Sequence, residues 1–337
     1  MKFVVTGAAG FVGTNLSLEL AKRGDETLLI DDLSRDGVLK NRDLIESCTG
    51  KQIHILDITD TVSMEKILDK YGTPDMFINL AGQVSLMASI KNPVRDFMVN
   101  AYAPIMILEY FRRRQMNPIF LNLSSNKVYG DLRQFQINES LTRFEISGST
   151  RDFDENTQLN FYGPYGCSKG TSDQYLIDYA RIFGMRTISF RQSTIYGPHQ
   201  QPASDQGWVV YMIDQILKGS TISLNGNGKQ VRDILYVSDI VELMLLIPTL
   251  NQFPFGETFN VGGGPSNTLS ILELFALVES ETGLSARYEF GEMRPGDQKY
   301  YVSNLQKIMS HTNWKPTVDV LTGIHSVINE RQSLLSS

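Results

Sequence analysis

The chain has 337 residues, enough for one large α/β domain or two domains sharing a cleft. Hydrophobic residues at 42% and charged residues at 20% are ordinary for a soluble globular protein. A net charge of −6 argues against a general nucleic-acid binder, although a few local arginines can still serve a small anionic ligand.

Two cysteines, Cys48 and Cys167, are too few for a disulfide framework and suit a reducing compartment. No uninterrupted apolar run reaches the roughly 18 residues that suggest a membrane span, and no signal-peptide pattern precedes the first strand. A soluble cytoplasmic protein is the expectation.

In chain order, residues 2–6 (KFVVT), 26–31 (ETLLID), 53–57 (IHILD), 75–80 (DMFINL), 118–124 (PIFLNLS) and 186–191 (RTISFR) read as strands. Helical periodicity fills the stretches between them. The first such stretch is read as Asn15–Arg23, with Gly24 as its terminating residue. Buried strands alternating with helices predict a doubly wound parallel sheet of the Rossmann type, α/β in class. The second half, punctuated by Gly, Pro and Asn at 196–202, 225–229 and 262–267, reads as a smaller interleaved lobe. The expected division is 1–190 for a dinucleotide-binding domain, to which 232–263 returns, and 191–337 mainly for a substrate lobe.

Thr6-Gly7-Ala8-Ala9-Gly10-Phe11-Val12-Gly13 follows the first strand and opens the first helix. Glycines there permit a tight turn and let backbone N–H groups approach a pyrophosphate, to which a helix N-terminus adds partial positive charge. Asp31 closes the second strand, 18 residues beyond Gly13, where a carboxylate can accept from both hydroxyls of an adenosine ribose. A carboxylate disfavours a 2′-phosphate, so NAD is expected rather than NADP. Asp57 and Ile58 are candidates to flank the adenine. Ala81, Gly82 and Gln83 follow the fourth strand as small residues beside the cofactor.

Ser125 ends the fifth strand, at the edge where open α/β sheets bind ligands. Tyr165 and Lys169 are spaced i, i+4 and so share one helix face. A lysine ammonium beside a phenol favours the phenolate, and such a tyrosine can take a proton from a sugar hydroxyl. The expectation is therefore a Tyr165 with a lowered pKa, with Ser125 orienting the same substrate oxygen. His54, His199, His311 and His325 are scattered without ligand spacing, and no metal is expected.

The strings TGAAGFVG, LSSNKVYG, YGCSK, FRQSTIYGP and QVRDILYVSD resemble the extended short-chain dehydrogenase/reductase family, which holds NAD-dependent nucleotide-sugar epimerases and dehydratases. The match runs nearly the whole chain. It implies a catalytic Ser125, Tyr165 and Lys169, and cofactor contacts at Gly7, Gly10, Phe11, Val12, Gly13 and Asn100 as well as those above. Asn126-Lys127 stand where the family's 4,6-dehydratases carry an Asp-Glu pair, which argues against dehydration. By the same resemblance, Asn126, Lys127, Arg232, Arg294 and Asp297 face a nucleotide-diphosphate sugar. The arginines are there because a planar guanidinium can bind phosphate oxygens bidentately.

Further strings, LSRDG, AGQVS, DQYLIDYARIFG, DQGWV and GNGKQVRD, resemble the family's C2-epimerising branch. That branch implies a CDP-linked 3,6-dideoxyhexose, a place in lipopolysaccharide O-antigen biosynthesis, and a homo-oligomer, dimer or tetramer. A UDP-hexose 4-epimerase is the alternative, and an NAD-binding sensor without turnover the remote one. The segment 131–163 is long for the family and reads either as cover for an active site or oligomer contact, or as a disordered surface loop. Trp208 reads either as a surface for the sugar or base, or as a core residue.

Overall fold

The computed structural model describes residues 1–148, 151–201, 203, 206–294 and 296–336. Asp205 of the DQGWV string and Pro295 beside Arg294 lie outside the described residues.

Five early strands form as the hydrophobic runs require: β1 (Lys2–Thr6), β2 (Glu26–Asp31), β3 (Ile53–Ile55), β4 (Met76–Asn79) and β5 (Ile119–Ser125). With Thr187–Gln192 and Glu257–Val261 they make a seven-stranded sheet. Its order is Glu257–Val261, Thr187–Gln192, β5, β4, β1, β2, β3. The pairings β1–β2, β1–β4, β2–β3 and β4–β5 are parallel. All seven residues of β5 are buried, because a parallel sheet with helices on both faces hides both sides of its central strands. β3 stops at Ile55, two residues short of the sequence reading. It is an edge strand with His54 and Ile55 exposed, so burial does not extend it.

The first helix, α1 (Phe11–Lys22), begins four residues before the expected Asn15. The glycine turn feeds directly into its first turn, a start that amphipathic periodicity does not register. Gly24 follows with φ 73°, and its N–H donates to the Ala21 carbonyl at 3.0 Å.

The chain divides into two compact units: Met1–Val128 with Gly163–Arg191 and Val241–Phe259, and Tyr129–Tyr162 with Gln192–Ile240 and Asn260–Ser337. In the first, Val4, Ile30, Phe77, Ile107, Phe111 and Phe120 belong to the core under the sheet. Phe77 and Phe120 are register partners on β4 and β5, with rings stacked at 5.0 Å. In the second, Val231–Tyr236 is the hub strand. It pairs with Thr194–Tyr196, Thr268–Ser270 and Tyr300–Tyr301. Its core includes Val209, Ile213, Leu224, Ile234, Leu274 and Ile324.

The segment 129–162 groups with the second unit, not with the first as its place in the sequence suggested. Its described residues include a hairpin of Ile137–Glu139 with Phe144–Ile146, and Phe153, whose ring stacks on Tyr301 at 5.7 Å. The segment that returns to the first unit is 241–259; residues 232–240 stay in the second, where the hub strand needs them.

Candidate active site

The glycine-rich turn folds as a cradle. Gly7 has φ 69°, and a Cβ there would stand 2.6 Å from the backbone nitrogen of Ala81. A Cβ on Gly13 would be driven into the Gly7 carbonyl oxygen and would stand 2.8 Å from the Ala8 Cα. At Gly7 and Gly13 the turn therefore lies against β4's exit and against α1 with no room for a Cβ. Gly10 is the N-cap of α1 and offers no side-chain cap. The first-turn N–H groups thus have no side-chain cap, at the positive end of the helix dipole.

Asp31 closes the far side. Its Oδ2 accepts from the Ala9 N–H at 2.9 Å and its Oδ1 from the Leu33 N–H at 2.8 Å. Burial pushes its pKa up, and these backbone donors oppose that without cancelling it. The Gly10 backbone also acts on this carboxylate, and of its roughly four acceptor positions at least one remains for a hydroxyl donor. Asp57 accepts from the Thr59 N–H at 2.9 Å and pairs with Arg95 at 2.8 Å. Burial raises its pKa, but Thr59 and Arg95 together carry it below the usual carboxylate range. The same guanidinium stands 3.7 Å from Asp32, so Arg95 bridges the exits of β2 and β3. Ile58 is buried, within the core of the first unit.

After β4, Asn100 fixes the next turn from both sides. Its Oδ1 accepts from the Gln83 N–H at 3.0 Å and its Nδ2 donates to the Gln83 carbonyl at 2.9 Å. Asn100 sits in a π-helical turn, Met98–Tyr102, a local irregularity that recurs at functional sites. A row of polar residues runs along the strand ends. Thr6 Oγ1 donates to Asn79 at 2.6 Å, Asn79 to Asn122 at 2.7 Å, and Asn122 to Ser172 at 3.4 Å. It joins β1, β4 and β5 to the helix Gly163–Phe183.

That helix carries Tyr165 and Lys169. The Ser125 hydroxyl acts to lower the Tyr165 pKa, and the Ser125 Oγ accepts from the Lys127 N–H at 3.2 Å. Lys169 Nζ donates to the Leu123 carbonyl at 2.8 Å. Tyr165 is 6% exposed and Lys169 5%. The sequence expectation of a lowered phenol pKa is not met. Burial pushes Tyr165 up to about 12, with the Ser125 hydroxyl acting against it and Asp96 adding to it. Burial pulls Lys169 down to about 8, while Asp96 and Asp173 resist that fall. The i, i+4 spacing does place both groups on one face, but desolvation outweighs any help the ammonium gives the phenolate.

Two of these residues gave no signal in the sequence. Asp96 is fully buried and accepts from Ser168 Oγ and, at 3.1 Å, from Asn100 Nδ2. It looks like an ordinary polar residue of a short helix. Arg95 beside it was equally anonymous. Arg191, on the strand Thr187–Gln192, pairs with the buried Asp173 at 2.6 Å.

In the second unit, Arg232 pairs with Asp297 at 2.8 Å. The backbone carbonyl of Arg294 accepts from the Asp297 N–H at 3.1 Å, which sets these three residues side by side. Trp208 is half-buried against that unit's core, and its Nε1 donates to Thr194 at 3.3 Å. Cys48 and Cys167 are both exposed free thiols. No helix among the described residues is long and apolar enough to cross a membrane.

Residues 3–262 match the model of the NAD dependent epimerase/dehydratase family. The chain belongs to that family. As an NAD dependent epimerase/dehydratase it is an enzyme whose cofactor is NAD. The site fits that cofactor: a helix N-terminus with no side-chain cap, a turn with no room for a Cβ at Gly7 or Gly13, and a buried carboxylate, Asp31, beside it. CDP-paratose 2-epimerase of Salmonella typhi is 37% identical over 339 residues, spanning 99% of this chain and 100% of that protein. UDP-glucose 4-epimerase of Thermotoga maritima, solved with UDP-glucose, has a TM-score of 0.84 at 26% identity, covering 99% of this chain and 100% of that one. UDP-glucuronic acid 4-epimerase of Bacillus cereus, solved with UDP-glucuronic acid and NAD, has a TM-score of 0.85 at 25% identity, again covering 99% and 100%.

Proposed function

We propose that this enzyme interconverts CDP-paratose and CDP-tyvelose by transient oxidation at C2 of the sugar. The observation that carries the reading is the 37% identity to a CDP-paratose 2-epimerase along the full length of both chains. It is supported by a proton-transfer pair, Tyr165 and the Ser125 hydroxyl, which acts to lower the Tyr165 pKa. It is supported too by Asn126-Lys127, which supply no carboxylic acid pair for eliminating water.

A 3,6-dideoxyhexose has no 3-hydroxyl, so no 3-ketone can form to acidify the C2 proton. Oxidation at C2 itself is the direct route. NAD, when bound, accepts the C2 hydride and returns it. Tyr165 takes the 2-hydroxyl proton and later gives one back, Ser125 holds the same oxygen, and the Lys169 ammonium favours the phenolate while the proton is away. The flat 2-ketone presents its other face between the two steps. We assign the cofactor to Gly7, Gly10, Phe11, Val12, Gly13, Asp31, Asp57, Ala81, Gln83, Asn100, Tyr165 and Lys169, with Ile58 contributing its backbone. Arg232 and Arg294 are the proposed diphosphate residues, Asp297 the ribose residue, and Asn126 and Lys127 further substrate contacts. In this reading residues 1–128, 163–191 and 241–259 form the NAD-binding unit, and the rest mainly the nucleotide-sugar lobe.

The test is a substrate deuterated at C2. Retention of the label in the epimerised sugar is expected; extensive exchange with solvent overturns the route. The likeness to the Thermotoga UDP-glucose 4-epimerase favours one second reading, a UDP-hexose 4-epimerase. Turnover of UDP-glucose but not CDP-paratose would establish it. We further place the enzyme in the cytoplasm, in O-antigen sugar supply, as a homo-oligomer. Tyr175, Ile182 and Phe183 expose apolar surface along one helix of the first unit, which a second copy would cover. Light scattering on the purified protein checks the oligomer.

A further inference from the structure

Lys169 is nearly sealed from water, and its ammonium has one neutral acceptor, the Leu123 carbonyl, at 2.8 Å. A buried ammonium needs a counter-charge to remain charged. Two carboxylates act on it, Asp96 and Asp173. Asp173, one turn further along the same helix, is already neutralised by Arg191 at 2.6 Å and also accepts from Ser189. Asp96 has no such cation. Its two oxygens accept from Ser168 and Asn100, both neutral.

Among the described residues, those placed at the ammonium by contact are neutral: the Leu123 carbonyl at the end of β5, and Gly82 in the turn after β4. A Cβ on Gly82 would stand 3.1 Å from both Lys169 Nζ and Asn100 Oδ1, and the Nδ2 of that same Asn100 donates to Asp96, which brings the carboxylate to the ammonium's side of the turn. On the helix itself, Tyr165 is the other titratable neighbour.

The geometry points to Asp96 as a positioning residue that holds Lys169 in its charged form, and so sets the alkaline limit of the Tyr165 proton transfer. It acts through charge across the buried interior. Its hydrogen bonds to Ser168, which lies between Tyr165 and Lys169 in sequence, and to Asn100, which anchors the Gln83 turn, fix where that charge sits. This rests on the reading of Lys169 as catalytic.

The experiment compares Asp96→Asn with Ser168→Ala in the NAD-loaded enzyme, using CDP-paratose and the pH dependence of kcat/KM. Asp96→Asn keeps the shape and removes the charge; Ser168→Ala removes a hydrogen bond and keeps the charge. The alkaline limb is expected to move about one unit toward lower pH in Asp96→Asn and to stay in place in Ser168→Ala. A rate lowered equally at every pH by Asp96→Asn overturns the inference. Failure of the proposed chemistry would look different, as absent turnover in the unmodified enzyme.

A second readout needs no turnover. Asp96→Asn is expected to lower the melting temperature when Lys169 is present and to cost much less in a Lys169→Met background. Equal losses in both backgrounds overturn the inference. If Asp96→Asn alone fails to fold, the Asp96→Asn/Lys169→Met protein is expected to fold, since no uncompensated ammonium remains. Failure of that double variant as well counts against it.

Discussion

Lys169 Nζ donates to the Leu123 carbonyl at 2.8 Å, which ties the helix Gly163–Phe183 to the strand that ends in Ser125. Tyr165 lies one turn earlier on that helix, where the Ser125 hydroxyl acts to lower its pKa. The reactive oxygens are thus carried by a helix and a strand tied together, and not by mobile loops. Such preorganisation is what proton transfer to a bound sugar requires.

Removing only the Tyr165 hydroxyl tests that arrangement. Tyr165→Phe keeps the buried ring and loses the acid–base group. Its expected loss of turnover is roughly 10²–10⁴-fold, the usual worth of a positioned general acid–base group. Isothermal titration should show NAD affinity within a few-fold of the parent. Near-parental turnover would remove Tyr165 from the chemistry.

The buried lysine leaves a mark on stability. Folding lowers the Lys169 pKa from 10.5 to about 8, so between those values the unfolded chain holds a proton that the folded chain has lost. Stability rises with pH wherever the unfolded state binds more protons. The cost of burying the ammonium is therefore fully present below about pH 8 and is relieved as pH climbs toward 10.5. Lys169→Met has no such group. Comparing melting temperatures without added nucleotide, the parent should gain on Lys169→Met steadily from pH 8 to 10. A constant difference across that range would show that the lysine titrates normally.

The strands of the sheet were legible because burial on both faces leaves continuous apolar runs such as Phe77-Ile78 and Ile119-Phe120-Leu121. Gly7, Gly13, Asp31, Ser125, Tyr165 and Lys169 were legible because each belongs to a short spaced motif with a definite strand or helix context. Asp96 and Arg95 were not, since their partners lie on other elements: Asp96 meets Ser168, 72 residues away, and Arg95 meets Asp57. The polar row Thr6, Asn79 and Asn122 left a faint trace, one polar residue near the end of each of three apolar strands. The direction of the Tyr165 pKa is not legible in the sequence, for a physical reason. Spacing gives the neighbour, but only the fold gives the burial that outweighs it.

Gly13→Ala probes the cradle. The added methyl would collide with the Gly7 carbonyl oxygen and crowd the Ala8 Cα, both backbone atoms with no rotamer to escape into. Overpacking of this kind costs about 1–3 kcal/mol. The expected result is a lower melting temperature together with a loss of NAD binding larger than that caused by Ala8→Gly in the same turn. Unchanged NAD affinity would mean that the turn and α1 can separate without harm to the cofactor site.

Asp31→Asn tests the ribose end. One side-chain oxygen becomes an amide nitrogen, so either Ala9 or Leu33 must present its N–H to a donor, and the charge that would accept the ribose hydroxyls is gone. Hydrogen bonds to charged groups contribute about 1.5–3 kcal/mol, so NAD affinity should fall roughly 10–100-fold. NADP gains from losing the same negative charge, because its 2′-phosphate would otherwise face it. The ratio of the two dissociation constants should therefore move toward NADP by more than either constant moves alone. Titration of both nucleotides into the parent and the variant gives that ratio directly. If both affinities fall by the same factor, Asp31 serves only the turn between Ala9 and Leu33 and not the ribose.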